Sequence, residues 1–228
     1  MGLITTDGNL SPDGRHITLV SRDLELLETF KHILQLRVRV AHHAGGYSTA
    51  YHVVFSDRLF HEWLSSIGLT PRKTHSIGAL CIPDDVFPDF ARGHLDGDGS
   101  ITRYVDRYNT KLEPSDVYQR LYTRFLSASR PHMEWFRARV AALLGVRGYM
   151  ATDRRTPDRV PLYRLHFAKK ESVALLRWMY YAPDVPCLTR KRTIAEPFLT
   201  GTLRDFRYPA GLESAIRRGD GSPGTGPP

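Results

Sequence analysis

Apolar positions along this chain change their spacing from one segment to the next, every second residue in some stretches and every third or fourth in others. Ile17 to Ser21 predicts a short strand, and Leu26, Leu27, Phe30, Ile33 and Leu34 stripe one side of a helix running from Arg22 to Leu36. Arg37 to His42 alternates as a strand, with Arg37 and Arg39 on one face and Val38 and Val40 on the other. Ala44-Gly-Gly46 supplies a turn, Ser48 to Phe55 returns, and Phe60, Trp63, Leu64 and Ile67 mark a helix that Gly68 closes. A basic connector, Thr70 to Thr74, leads to a further helix in which Phe87, Phe90, Ala91 and His94 fall at i, i+3, i+4 and i+7.

The order then repeats. Val117 to Leu126 is strand-like, and Ser129 opens a helix carrying Met133, Phe136, Val140, Leu143 and Leu144 that ends at Gly145. Tyr149 to Ala151 and Val160 to Phe167 predict two strands joined by a polar loop, and Val173, Leu176, Met179 and Tyr180 stripe the next helix. A second basic connector follows, Thr189 to Thr193. Asp7 and Asp98 are 91 positions apart, Ser21 and Ser129 are 108 apart, Phe55 and Phe167 are 112 apart, and Lys73 and Lys191 are 118 apart. The separation only grows, and each increase fits a connection between elements, where insertions are tolerated. That is the signature of a duplicated unit.

Composition narrows the class. Hydrophobic residues make up 41% of 228, enough to bury a core, and 32 basic residues exceed 24 acidic ones by 8. The excess favours a polyanionic partner. Cys81 and Cys187 have no paired spacing, so neither a disulfide framework nor a zinc site is implied. No apolar run would cross a membrane and no signal peptide is evident, which predicts a soluble, intracellular protein. From Arg217 the chain is rich in Gly, Pro and Ser, a composition that predicts disorder. No phosphate loop, dinucleotide fingerprint or nucleophile motif points to small-molecule chemistry.

The chemistry concentrates in Ala91-Arg-Gly-His-Leu-Asp-Gly-Asp-Gly99. It begins as helix and ends in two glycines that permit a sharp turn. Asp98 is thereby placed at a helix C-terminus, where the dipole disfavours negative charge, and a divalent cation would remove the conflict. A calcium loop of the helix-loop-helix kind fails, because with Gly99 at its sixth position His94 and Val105 occupy the first and twelfth, which require acids. A plain helix stop followed by a polar turn is the bland alternative.

Gly93, Leu95, Asp96, Asp98 and Gly99 resemble the signature of the LAGLIDADG homing endonucleases, whereas Arg92 and His94 depart from it. Gly2 to Gly8 resembles the second half of the same signature, with Asp7 in the place of Asp98. The resemblance extends to about Phe198 and implies an α+β fold, two pseudo-symmetric αββαββα units whose antiparallel sheets form a DNA-binding saddle. It divides the chain into residues 1–83, 84–200 and a C-terminal extension 201–228. The first motif lacks its leading residues, so either half of the central helix pair is expected to be absent or the true start to lie upstream; a chain complete as given would be poorly stable or catalytically dead.

The implied activity is metal-assisted hydrolysis of double-stranded DNA by a monomer. Asp7 and Asp98 would lie side by side and bind Mg2+ or another divalent cation, and Lys73 and Lys191 would stabilise charge at the phosphate. Arg37, Arg39, Arg120, Arg124, Arg154, Arg155 and Arg164 would contact bases or phosphates, and Lys169 and Lys170 would help order water near one scissile phosphate. Asp96 is acidic where its counterpart is Thr5, so the two centres are expected to differ. A nucleic-acid-binding protein that kept the fold and lost cleavage, an intron maturase or a DNA-binding regulator, is the competing expectation.

Overall fold

The computed structural model describes residues 1–43, 50–106, 118–153 and 161–201. In chain order the elements are α1 (Gly2–Thr6), β1 (Gly8–Leu10), β2 (His16–Ser21), α2 (Leu24–Ile33), β3 (Ala41–His43), β4 (Ala50–Ser56) and α3 (Arg58–Ser66). They continue as α4 (Phe87–Asp98), β5 (Ser100–Asp106), β6 (Tyr118–Ser127), α5 (Arg130–Leu144), β7 (Tyr149–Asp153), β8 (Leu162–Phe167), α6 (Lys169–Met179) and α7 (Thr189–Leu199). Two four-stranded antiparallel sheets result, ordered β1-β2-β4-β3 and β5-β6-β8-β7. The identical order makes the repeat a property of the fold.

Local chemistry sets the helix ends. Asp57 accepts a hydrogen bond from the Phe60 amide at 2.9 Å and starts α3. Ser129 does the same for α5 through the His132 amide, and Gly145, at φ +72°, closes that helix in the left-handed region. In β2 and β4, Ile17 faces Phe55 and Leu19 faces Val53 on the core side, which puts Thr18, Val20, His52 and Val54 on the other face. In β6 and β8, Phe125 faces Leu165 and Thr123 faces Phe167 inside, so Tyr122, Arg124, Arg164 and His166 point outward.

Four expectations change. β1 and β5 follow each Asp-Gly directly; the turn signal of that dipeptide hid them. The strand expected over Arg37 to His42 shrinks to Ala41–His43, while Arg37 and Arg39 are exposed just before it. Thr189 to Thr193 is the first turn of α7 rather than a connector, and the helix runs on through Pro197. α2 is shorter at both ends than Arg22 to Leu36. Arg154, Arg155 and the segment from Arg217 onward lie outside the described residues.

α4 runs through the middle of the core. Phe87 meets Trp135, Phe136 and Trp178 with ring centroids 5.7, 5.7 and 6.1 Å away, and Phe90 packs on the same group. α1 is much shorter, with 5 residues against 12. Around its start lies an apolar groove of about 370 Å³, lined by Leu26, Phe30, Ile33, Phe60 and Trp63 among others.

The residues of α4 that depart from the signature have structural work. Arg92 donates to the carbonyls of Met179 at 2.7 Å and Pro186 at 2.8 Å, tying α4 to the end of α6. His94 stacks on His132, with the Nε2 atoms 3.2 Å apart. His132 Nδ1 lies 2.9 Å from the Gly78 carbonyl and donates to it. Its Nε2 must therefore accept from His94, whose Nδ1 is left without a partner. Burial holds the His94 imidazole down at about 3.

α1 crosses α4 at backbone distance. A Cβ added to Gly2 would lie 2.2 Å from the Phe90 carbonyl oxygen and 2.4 Å from the His94 nitrogen. One added to Gly93 would lie 3.1 Å from Gly2 Cα. An alanine inside a helix ordinarily gains about 1 kcal/mol over glycine, so a net loss reports this contact. Gly2→Ala should destabilise the protein by about 1–3 kcal/mol and Gly93→Ala by clearly less. Urea unfolding of both variants checks the ranking, and equal stability of the two would contradict it.

Candidate active site at the paired helix ends

The contact between α1 and α4 fixes where both helices stop. Asp7 is the C-cap of α1 and Asp98 the last residue of α4. A Cβ on Gly97 would lie 2.5 Å from Asp7 Oδ2, so the Asp7 carboxylate rests against the backbone beside Asp98. The two charges act on each other. Burial, followed by the Asp98 charge, pushes Asp7 up to about 6. Asp98 reaches solvent, yet the protein around it withholds part of its hydration and raises its pKa too.

Two buried lysines lie beneath this pair. Lys73 is 6% exposed and donates to the Gly8 carbonyl. Lys191 is 3% exposed and donates to the carbonyls of Leu95 at 2.5 Å, Asp96 at 2.8 Å and Gly99 at 2.8 Å. Gly8 and Gly99 each directly follow the aspartate of their helix. Each lysine thus serves the same carbonyl in its own repeat. Burial lowers both to about 8; Asp7 and Asp98 partly restore Lys73, and Asp96 first of all partly restores Lys191. Asp7, Asp98, Lys73 and Lys191, nominated from sequence, form one cluster.

The lysines also answer the dipole conflict. The free carbonyls at the end of α4 are satisfied by an ammonium rather than left to a cation from solution. Asp96 acts on the cluster through its charge on Lys191, whereas Thr5 carries no charge to place beside Lys73. Asp96 is buried and accepts from the Leu188 amide at 3.1 Å, while Thr5 donates to the Met1 carbonyl at 3.2 Å. The two lysines therefore sit in different electrostatic surroundings, Lys191 beside the buried Asp96 and Lys73 without such an acid at Thr5.

By sequence, no family model and no curated protein matches the chain. By structure it is similar to the meganuclease I-SmaMI bound to uncleaveable DNA, with a TM-score of 0.55 at 11% identity over 95% of this chain and 94% of the other. It is similar to the I-LtrWI LAGLIDADG homing endonuclease bound to target DNA, with a TM-score of 0.56 at 11% identity over 95% and 93%. The N-terminal LAGLIDADG domain of DUF199/WhiA matches at a TM-score of 0.50 and 12% identity over 85% and 83%.

The fold is that of the LAGLIDADG homing endonucleases.

On this LAGLIDADG fold the cationic candidates divide unevenly. Arg120, Arg124 and Arg164 share the outer face of the β5-β6-β8-β7 sheet. Arg120 is paired with Asp106, Nε to Oδ2, at 2.9 Å. Arg37 and Arg39 precede β3, and Lys169 and Lys170 open α6. Sequence reasoning missed Tyr104, Tyr149 and His166 on the same outer face, although the alternation through Arg120, Tyr122 and Arg124 marked it. Among the described residues no cluster of three or more His, Cys, Asp or Glu could hold a metal. Two adjacent carboxylates with raised pKa values fit a cation that takes few protein ligands and keeps its waters, which is the habit of Mg2+. No helix among the described residues is long and apolar enough to cross a membrane.

Because the folded pKa of Asp7, about 6, lies above 3.8, neutral Asp7 favours folding below the ordinary value, and that contribution is lost as pH rises through 6. Asp7→Asn should therefore raise the stability of the metal-free protein by about 1–2 kcal/mol near pH 8 and change it little near pH 4. Calorimetry in EDTA at both pH values checks the sign.

Proposed function

We propose that the protein is a sequence-specific endonuclease of double-stranded DNA, acting as a monomer with internal pseudo-twofold symmetry. The observation that carries this reading is the cluster itself: two carboxylates meeting at the ends of crossed helices, each repeat adding a buried lysine. Asp7 and Asp98 would hold Mg2+ or another divalent cation, which when bound supplies a Lewis acid for the phosphate and a more acidic water. The protein contributes position and charge. Lys73 and Lys191 fix the carbonyls below the aspartates and set a positive potential under the scissile phosphates. Lys191 spends its donors on Leu95, Asp96 and Gly99, so it acts through the charge and orientation of the α4 end rather than by reaching a phosphate. Arg37, Arg39, Arg120, Arg124, Arg164 and Lys169 supply the surface that attracts DNA, and Arg154 and Arg155 are proposed to join them.

A second reading is a DNA- or RNA-binding protein without cleavage. The basic excess and the two-sheet fold would serve it equally well, since a fold does not by itself imply cleavage.

Incubation with a duplex library separates the two. The endonuclease should cut a subset of duplexes in Mg2+ and none in EDTA. Asp98→Asn should lower the cleavage rate by at least about 100-fold while the same duplexes are still bound. Tight, selective binding with no cutting would establish the second reading, and absence of any nucleic-acid binding would overturn both.

A further inference from the structure

The two sheets share their topology but not their surface chemistry. On the outer face β6 and β8 carry Arg120, Arg124 and Arg164, whereas β1, β2, β3 and β4 contain neither Arg nor Lys. On the outer face of the first sheet, Thr18 lies opposite Val54 and Val20 opposite His52. Val54 is 41% exposed there although nothing described packs over it as core. A duplicated unit needs no such asymmetry to fold, because these positions lie outside the core.

Arg124 sits at the centre of the second face in a fixed pose. Its Nε lies 3.1 Å from His166 Nδ1 and one terminal nitrogen lies 3.0 Å from Thr102 Oγ1. The guanidinium carbon stands 5.3 Å from the centroid of the Tyr122 ring, which itself stacks on Tyr104 at 6.1 Å. Arginine only donates, so His166 Nδ1 accepts and the ring is neutral, consistent with burial lowering its pKa. With Nε–H and one terminal N–H engaged, three of the five N–H groups remain on the terminal nitrogens, enough for one fork of two parallel donors. That fork matches guanine O6 and N7 in the major groove. Its orientation is set before any ligand arrives, which reduces the entropic cost of base readout.

We infer that the target is read asymmetrically: the second sheet recognises a guanine through Arg124, and the first sheet contacts thymine methyl groups through Val20 and Val54. This rests on the DNA-binding reading above and assigns its specificity. The polar-to-apolar split follows base chemistry, since an arginine fork selects guanine and an exposed valine favours the thymine C5-methyl.

Selection from a randomised duplex library, with binding read in Ca2+ and then by titration, tests this on the full chain. Wild-type protein should enrich a site with a strongly preferred G·C pair in one half and A·T pairs in the other. Arg124→Gln should lose the preference at that one pair, with affinity for the selected site falling about 10-fold or more and preferences elsewhere kept. Val54→Ser should weaken only the A·T preference of the opposite half. Thermal unfolding of each variant confirms that it is folded. A uniform loss of affinity across all sequences in Arg124→Gln would mean a phosphate contact and overturn the inference, as would selected sites with two equivalent halves. Failure to bind any DNA would instead overturn the nucleic-acid reading itself and this inference with it.

Discussion

The contact between α1 and α4 at the distance of bare backbone is the constraint on which this molecule depends. Gly2 admits the Phe90 carbonyl, Gly93 admits the Gly2 backbone, and Gly97 admits Thr6 and the Asp7 carboxylate. A side chain at Gly2 would push the helices apart, one at Gly93 would need the neighbouring backbone to give slightly, and one at Gly97 would displace Thr6 and the Asp7 carboxylate. Glycine in a helix costs conformational entropy, and here that cost is offset by bringing together two chain segments 91 residues apart. The sheets then follow directly, because a single residue separates each helix end from the start of β1 or β5.

Two carboxylates in one place create an electrostatic problem that the fold handles only in part. Lys73 and Lys191 neutralise the carbonyl ends and temper the acids, yet both aspartates remain shifted toward the neutral form. Burial is the larger cause for both, with the Asp98 charge adding to it at Asp7, and a divalent cation would offset both effects. Burying two lysines beside backbone carbonyls is costly unless their protons are used. For Lys191 the carbonyls of Leu95, Asp96 and Gly99 use them. The geometry therefore links stability and chemistry: the same ammonium that caps α4 sets the potential at its end.

Much of this was legible in the sequence because it rests on periodicity and repetition. The helices striped by Leu26 and Phe30, or by Met133 and Phe136, bury those residues as their spacing predicts. Recurrence of Asp-Gly and of Arg-Lys singled out all four members of the cluster. What escaped depended on three dimensions. β1 and β5 look like turn continuations until a partner strand is present. Arg92 and His94 read as departures from a motif, but they answer to the end of α6 and to His132, far along the chain. The tyrosines beside Arg124 gain meaning only when β5, β6 and β8 are aligned.

Loading the protein with Fe2+ and initiating hydroxyl-radical cleavage of the polypeptide tests most directly whether the two carboxylates share an ion. The cuts map which backbone segments surround the ion. Fragments ending near Asp7–Gly8 and near Asp98–Gly99 should form together and at similar rates, and both sets should vanish in Asp98→Asn. Cuts confined to one of these segments, or scattered over unrelated parts of the chain, would show that the two carboxylates do not hold a common ion.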